Sequence, residues 1–254
     1  MSRALSRRVV IVTGATRGIG RATAVRLAAD GARVVATGRD AIAGEETVRL
    51  IDEADGSCVF ASHDVTVEAD WERVMDIAKD LGGLYGLVNN AGMFMIRPIA
   101  DTTEEDFDAM VAVNVEGAFL GIKHAFRAFE TDKRAGVIVN VSSLMGLVGF
   151  AEATAYCATK GAITGMTRAA ALDGAAMDPK VRVNTLHPGV IWTEMITSQF
   201  GDSDALAAAF AADTPLRMVG RPEHMADAVA FLISDESSFM TGAELTVDGG
   251  RGAD

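Results

Sequence analysis

Residues 9–30 read VVIVTGATRGIGRATAVRLAAD, in which four apolar residues run into a glycine-rich turn and apolar residues at helical spacing follow. A short continuous apolar run is typical of a strand buried on both faces. Glycines let the backbone turn tightly and approach a pyrophosphate, and a helix N-terminus supplies free N–H groups and positive potential. The stretch therefore predicts a strand, a turn and a helix with a nucleotide phosphate at the turn.

The same alternation continues along the chain. Apolar, β-branched runs occur at 8–12, 33–37, 58–61, 85–89, 136–141, 182–186 and 244–247, with helical patterns such as 19–30 and 101–129 between them. Such runs separated by helices indicate a parallel sheet covered on both faces. We expect an α/β fold over residues 1–254: a single-domain, doubly wound Rossmann-type parallel sheet of about seven strands with helices on both faces. Its ligand site is expected at the carboxyl ends of the strands.

Residues 192–215 interrupt this alternation of apolar runs and helical patterns. The segment is rich in alanine and methionine and follows the sixth apolar run. Long excursions at the ligand end of a sheet are usually functional. We therefore expect a helical lid over the substrate.

Composition limits the classes of partner. The net charge is −12, from 35 acidic and 23 basic residues, which argues against nucleic acid because phosphate binding needs a basic face. No apolar stretch approaches the roughly 20 residues of a membrane span. The two cysteines, Cys58 and Cys157, have no neighbours that suggest a metal site and fit a reducing compartment. We expect a cytoplasmic protein with no metal, no membrane and no nucleic acid.

Tyr156 and Lys160 stand four residues apart, a spacing that puts both side chains on one helix face. An ammonium beside a phenol favours the phenolate. Lowering a tyrosine pKa from about 10 to about 7 takes roughly 4 kcal/mol, at about 1.36 kcal/mol per unit. The pair predicts an acid–base tyrosine, although a half-buried tyrosine and a solvated lysine share this spacing in many helices.

Further motifs accompany that pair in a fixed order. They are Gly14-x-x-x-Gly18-x-Gly20, Asn89-Asn90-Ala91-Gly92, Asn114, Ser143, Pro188-Gly189 with Thr193, and Asp248-Gly249-Gly250. With these motifs the chain resembles, over essentially its whole length, a short-chain dehydrogenase/reductase of about 250 residues. Within that family it looks most like alcohol, hydroxysteroid and cyclic-alcohol dehydrogenases.

The resemblance implies the catalytic roles. Tyr156 exchanges the proton, and Ser143, thirteen residues before it, donates a hydrogen bond to the substrate oxygen, which excludes the neighbouring Ser142. Lys160 binds the nicotinamide ribose and tunes the tyrosine. Asn114 positions a water between Lys160 and solvent.

The resemblance also implies a bound nicotinamide dinucleotide. The residues expected around it are Gly14, Thr16, Arg17, Gly18, Ile19 and Gly20 in the turn, Gly38 and Arg39 after the second strand, Asp64, Val65, Asn90, Ala91 and Gly92 on the adenosine side, and Tyr156, Lys160, Pro188, Gly189, Ile191 and Thr193 on the nicotinamide side.

The end of the second strand indicates which dinucleotide binds. NAD-specific sites place a carboxylate there for the ribose 2′-hydroxyl, and by the resemblance Gly38 occupies that position. Arg39 follows it, and Arg17 lies in the glycine turn; arginine attracts a 2′-phosphate. NADP is therefore the expected cofactor, while the adjacent Asp40 keeps NAD open.

The positions expected around the substrate are apolar: Met93, Met95, Met145, Leu147, Val190, Trp192, Met195, Ile196 and Phe200. With no arginine or lysine evidently placed to hold an anion, we expect a hydrophobic ketone or secondary alcohol as substrate and an oxidoreductase as the function. A 3-oxoacyl thioester reductase is an alternative that the net charge of −12 disfavours, because its carrier protein is acidic. A non-catalytic, NADP-binding regulatory protein is a second alternative. The resemblance further implies a homotetramer.

Overall fold

The computed structural model describes residues 5–253; residues 1–4 and 254 of the expected domain lie outside the described part. Seven strands, all parallel, form one sheet in the order β3-β2-β1-β4-β5-β6-β7. The strands are β1 (Val9–Thr13), β2 (Arg33–Gly38), β3 (Ser57–Ser62), β4 (Leu84–Asn89), β5 (Gly136–Val141), β6 (Val181–Pro188) and β7 (Glu244–Val247). Each overlaps an apolar run of the sequence, so the predicted doubly wound sheet is confirmed.

Helices cover both faces of the sheet. They are α1 (Gly18–Ala29), α2 (Ala41–Asp52), α3 (Glu68–Asp80), α4 (Glu104–Val111), α5 (Gly117–Asp132), α6 (Thr154–Ala176), α7 (Glu194–Phe200), α8 (Asp204–Ala212) and α9 (Pro222–Ile233). Every residue of β1 and β5 is buried, as expected of strands with helices on both sides.

Two apolar cores hold these layers together. One includes Leu27 of α1 and Met225 of α9, and the other includes Trp71 of α3 and Phe129 of α5, all almost fully buried. Burying one such side chain stabilises a fold by about 1.5–3 kcal/mol. The sheet is therefore a rigid platform for the loops at its carboxyl edge.

The strand order reverses between β1 and β4, which is where doubly wound sheets bind ligands. The two strand ends are tied together there, because Thr13 Oγ1 accepts the backbone N–H groups of Asn90 and Ala91, each at 3.0 Å. The Asn90 side chain in turn donates to the Thr13 carbonyl at 2.9 Å.

Buried polar side chains attach α6 to this edge. Asn89 Nδ2 donates to Asn140 Oδ1 at 2.8 Å, and Asn140 Nδ2 donates to Thr167 Oγ1 at 2.9 Å. Ser142 Oγ donates to the Lys160 carbonyl at 2.8 Å. The helix that carries Tyr156 is thereby positioned against the end of β5.

The helical pattern over 101–129 folds into two α-helices joined by a π-helix, Ala112–Glu116. This interruption was not expected from the sequence. Such turns are rare and often lie at functional sites, and Asn114 lies inside this one.

The segment 192–215 forms α7 and α8, neither of which contains a buried residue. Phe200 at the end of α7 contacts Phe210 of α8 edge-on, with ring centroids 5.5 Å apart, and lies 6.3 Å from Phe94. The expected helices are present at the expected place. Across residues 5–253, no helix has the length and apolar character needed to cross a bilayer.

Candidate active site

A cleft of about 760 Å³ lies along the carboxyl edge of the sheet, within the size range of ligand pockets. It extends from Gly38 and Asp64 at one end, past the turn after β1, to Tyr156 and α7 at the other. All of the expected cofactor residues line it.

The turn between β1 and α1 is shaped to receive a pyrophosphate. Gly14 and Gly18 have φ angles of +63° and +51°, which only glycine adopts readily. A Cβ on Gly20 would lie 2.2 Å from the Gly14 carbonyl oxygen. The first turn of α1 has no side-chain cap and no acidic residue, so its N–H groups remain available to an anion.

Two arginines lie near the end of β2, and they differ in whether they form ion pairs. Arg17 pairs with Asp40 at 3.1 Å and with Glu194 at 2.8 Å, and so links the glycine turn to α7. Arg39 is exposed and has no ion pair within residues 5–253. Gly38 approaches Thr16 so closely that a Cβ would lie 2.6 Å from its Cγ2.

His63 and Asp64 form the wall of the cleft after β3. Asp64 Oδ1 accepts hydrogen bonds from the backbone and hydroxyl of Thr66, at 3.0 and 2.8 Å, and the backbone bond contributes most to holding its pKa below the ordinary value. His63 is buried against Trp71, with ring centroids 4.4 Å apart. Burial lowers the pKa of His63 to about 4, so it is neutral at pH 7.

Ser143, Tyr156 and Lys160 meet at the end of β5, where all three line the cleft. Ser143 begins a short 3₁₀ turn, and its Oγ accepts the Met145 N–H at 3.1 Å. Behind it, the fully buried His187 donates its Nδ1–H to the Ser143 carbonyl at 2.9 Å. Burial lowers the pKa of His187, consistent with this neutral, structural contact.

The proton equilibrium of Tyr156 differs from the expectation. Burial raises the pKa of Tyr156 to about 12, opposed in part by the Ser143 hydroxyl. Lys160 Nζ lies 5.7 Å from the centre of the tyrosine ring and donates to the Val141 carbonyl at 3.0 Å. In the protein without a cofactor the pKa of Tyr156 is therefore raised rather than lowered, because desolvation of the phenolate is the largest effect; the expected lowering also depended on the positive ring of a bound cofactor.

Lys160 itself is only 4% exposed, and burial lowers its pKa to about 8. The lysine is thus close to its titration point at neutral pH. Any added negative charge nearby favours its protonated form.

Asn114 is held by both of its side-chain atoms. Its Oδ1 accepts the Met93 N–H at 2.7 Å, and its Nδ2 donates to the Met93 carbonyl at 2.9 Å and to Thr159 Oγ1 at 3.0 Å. A Cβ on Gly92 would lie 3.3 Å from Asn114 Oδ1 and 3.5 Å from Lys160 Nζ. Gly92 therefore leaves the space between these two side chains open.

Comparisons with known proteins agree with this geometry. A family model described as enoyl-(acyl carrier protein) reductase matches residues 14–251. The NADP-dependent (R)-specific alcohol dehydrogenase of Lentilactobacillus kefiri is 39% identical over 251 residues, which cover 98% of each chain. The chain belongs to the short-chain dehydrogenase/reductase family.

Two other members of the short-chain dehydrogenase/reductase family extend the comparison. A cyclopentanol dehydrogenase of Comamonas testosteroni is 40% identical over 244 residues, covering 96% of each chain. The crystal structure of levodione reductase superposes with a TM-score of 0.92 at 30% identity, covering 98% of this chain and 99% of the other. The chain is therefore similar to these proteins in both sequence and fold over nearly its whole length.

Five of the nine expected substrate residues line the apolar end of the cleft: Met93, Met145, Val190, Met195 and Ile196. The other four, Met95, Leu147, Trp192 and Phe200, lie outside its lining. Leu147 is 43% exposed and Phe200 is 38% exposed.

The sequence analysis missed several lining residues, among them Phe94, Phe150 and Arg251. Phe94 contacts the Tyr156 ring edge-on at 4.8 Å between centroids, and its place beside Met93 in the sequence was a usable signal. Arg251 directly follows the Asp248-Gly249-Gly250 motif, although only folding brings this part of the chain to the cleft.

Proposed function

We propose that this protein is an NADP-preferring oxidoreductase that transfers a hydride between the cofactor and a hydrophobic ketone or secondary alcohol. The observation that carries the proposal is the meeting of Ser143, Tyr156 and Lys160 at one end of a cleft whose other end is the glycine turn. The family membership and the alcohol dehydrogenases among the relatives support it.

The fit of a dinucleotide depends on glycines at positions where any side chain would clash with neighbouring atoms. At positions 14, 20 and 38, an added Cβ would lie less than 3.0 Å from a neighbouring protein atom, so only glycine allows the close packing that shapes the floor of the cleft. When bound, the nicotinamide supplies or accepts the hydride. The turn holds the pyrophosphate, and Lys160 and Thr193 hold the nicotinamide half.

Preference for NADP follows from charge at the end of β2. Gly38 offers no carboxylate to a 2′-hydroxyl, and Arg39 is free to pair with a 2′-phosphate. Asp40 is engaged by Arg17 and by the Ala43 N–H at 3.1 Å, which reduces its repulsion of a phosphate. The relative from Lentilactobacillus kefiri is NADP-dependent by name.

Tyr156 is the proposed acid and base. Its pKa of about 12 keeps it protonated at neutral pH, as a donor to a ketone oxygen must be. In the oxidation direction the phenolate needs positive charge nearby, which Lys160 and an oxidised cofactor provide. Ser143 donates a hydrogen bond to the same oxygen as charge develops on it.

Asn114 is proposed to align a proton path to Lys160. The π-turn at 112–116 and the open space at Gly92 support this role, because a π-turn leaves backbone carbonyls without their usual helical partners.

The substrate end of the cleft supports an apolar carbonyl compound. Phe94, Phe150 and several methionines line it, and methionine adapts to irregular shapes. The lid role of 192–215 is proposed on the same basis, since Met195 and Ile196 of α7 face this end.

Initial rates with cyclic and aryl ketones, each measured with NADPH and with NADH, test these proposals. Faster turnover with NADPH is expected. Preference for NADH refutes the cofactor assignment and leaves the reaction class standing. Reduction of an acetoacetyl thioester in preference to every simple ketone favours the thioester reductase, and cofactor binding without turnover favours a regulatory protein.

A homotetramer is proposed from the family resemblance and from exposed apolar side chains on adjacent helices. Phe107 of α4, Phe119 of α5 and Leu172 of α6 are 40%, 54% and 75% exposed. Light scattering of the purified protein tests this assembly, and a monomer at micromolar concentration refutes it. A cytoplasmic location is proposed from the same resemblance, and fractionation of the host cell tests it.

A further inference from the structure

Arg251 is a cation at the substrate end of the cleft for which the proposed reaction has no use. It follows β7 and lines the cavity together with Phe150 and Met195, with 20% of its side chain exposed. The other lining arginines, Arg17 and Arg39, lie beside the glycine turn and the end of β2. The sequence showed no arginine or lysine evidently placed to hold an anion, and folding brings Arg251 to this end of the cleft.

A fixed turn holds Arg251 in place. Asp248 Oδ1 accepts the Gly250 N–H at 2.9 Å, and its Oδ2 accepts the Gly252 N–H at 2.6 Å. The carbonyl of Gly249 accepts the Leu216 N–H at 3.1 Å. The guanidinium thus projects from a turn that follows β7 and is bonded to the segment after α8, rather than from α7 or α8 themselves.

Most of the N–H donors of this guanidinium have no hydrogen-bond partner within residues 5–253. A guanidinium carries five N–H donors, and within residues 5–253 the side chain makes one hydrogen bond, from Nη2 to Asp213. Asp213 is 63% exposed, so water screens this pair strongly. The remaining donors are available to a ligand in the cleft.

Arg251 is also close to the reacting end. Its Cζ lies 5.8 Å from the centre of the Phe150 ring, and Phe150 packs on the buried cluster that contains Tyr156. A substrate whose carbonyl meets Tyr156 can therefore extend across the apolar wall around Phe150 towards the guanidinium. Arginine binds carboxylates through two parallel N–H···O bonds.

We propose that Arg251 binds a carboxylate on the substrate, and that the substrate class is a keto acid or hydroxy acid with an apolar ring or chain between its two functional groups. This inference rests on the proposed function and narrows it. Arg251 binds the carboxylate end of the substrate, while Ser143 and Tyr156 hold its carbonyl end.

The test compares 4-oxocyclohexanecarboxylate with its methyl ester, using the wild type, Arg251→Gln, Arg251→Lys and Asp213→Asn. The wild type is expected to show a kcat/KM for the acid at least about tenfold above that for the ester, as suits a charge-assisted pair. Arg251→Gln should lower kcat/KM for the acid at least about tenfold more than for the ester, mainly through KM. Arg251→Lys should restore part of the difference.

Asp213→Asn is the matched control, because it removes the competing carboxylate while Arg251 stays. It should keep or increase the preference for the acid. If Arg251 only fastens α8 to β7 through Asp213, then Arg251→Gln and Asp213→Asn affect both substrates alike. That result, or a wild type without preference for the acid, overturns the proposal.

A binding measurement separates failure of this inference from failure of the proposed function. Calorimetry on the complex with NADP compares cyclohexanecarboxylate with cyclohexanecarboxamide. Tighter binding of the carboxylate that Arg251→Gln abolishes supports the anion site even if the wild type reduces no ketone. Equal binding of both compounds, or a difference that survives in Arg251→Gln, refutes it.

Discussion

Replacing Gly38 with aspartate should move cofactor preference towards NAD, but the structure indicates that the single substitution also introduces strain. The new Cβ would lie 2.6 Å from Thr16 Cγ2, and Thr16 is 7% exposed. A β-branched side chain has few alternative rotamers. Overpacking of this kind costs about 1–3 kcal/mol, so Gly38→Asp should lower the melting temperature and weaken binding of both cofactors.

Thr16→Ser removes the clashing methyl group and keeps the hydroxyl. In Gly38→Asp with Thr16→Ser, the carboxylate can bond the ribose 2′-hydroxyl and repel a 2′-phosphate. A hydrogen bond to a charged group contributes about 1.5–3 kcal/mol, which corresponds to a fall in the NADPH/NADH preference of roughly 10- to 150-fold at 1.4 kcal/mol per tenfold. Thr16→Ser alone is the matched control and should leave the preference near that of the wild type.

The assay is cofactor affinity from nucleotide fluorescence, with kcat/KM for one ketone and a thermal melt for each of the four proteins. NADH binding should be weak in Gly38→Asp and recover in the double variant. If Gly38→Asp switches preference fully with an unchanged melting temperature, the steric reasoning at Thr16 is refuted. If the double variant still prefers NADPH, residue 38 does not contact the ribose.

Three further outcomes are expected. Tyr156→Phe should lower kcat by about 10²–10⁴-fold, with a smaller change in NADPH affinity; turnover near that of the wild type would exclude the tyrosine as the proton donor. Gly20→Ala should abolish dinucleotide binding, because its Cβ would lie 2.2 Å from a carbonyl oxygen, whereas Gly161→Ala, with its nearest contact at 3.7 Å, should be neutral or stabilising in thermal melts. Lys160 has its pKa lowered from 10.5 to about 8, so its contribution to the free energy of unfolding should rise with pH between about 8 and 10.5, whereas Cys58, whose pKa burial raises from 9.0 to about 12, contributes a fall above about pH 9. Urea titrations should give a free energy of unfolding that changes more positively with pH in the wild type than in Lys160→Met, and equal slopes would contradict the buried lysine.

Local features of the sequence were sufficient for the fold and for the positions of the principal site residues. Each apolar run became a strand, because a parallel strand with helices on both faces must be apolar along its length. The spacing of Ser143, Tyr156 and Lys160 also sufficed, since a helix and a strand end convert fixed intervals in sequence into fixed positions in space. The glycine turn follows the same logic, because only glycine tolerates its backbone angles and close approaches.

Only the tertiary structure decided the pKa values of these groups and which residues, distant in sequence, lie beside them. The pKa of Tyr156 rises to about 12 because of burial, which depends on side chains remote in sequence. Arg17 meets Glu194, and Arg251 meets Phe150 and the cleft, only after the chain has folded. The sequence determined which chemistry the strand ends can carry, whereas long-range packing decided the desolvation and the neighbours that set its proton equilibria.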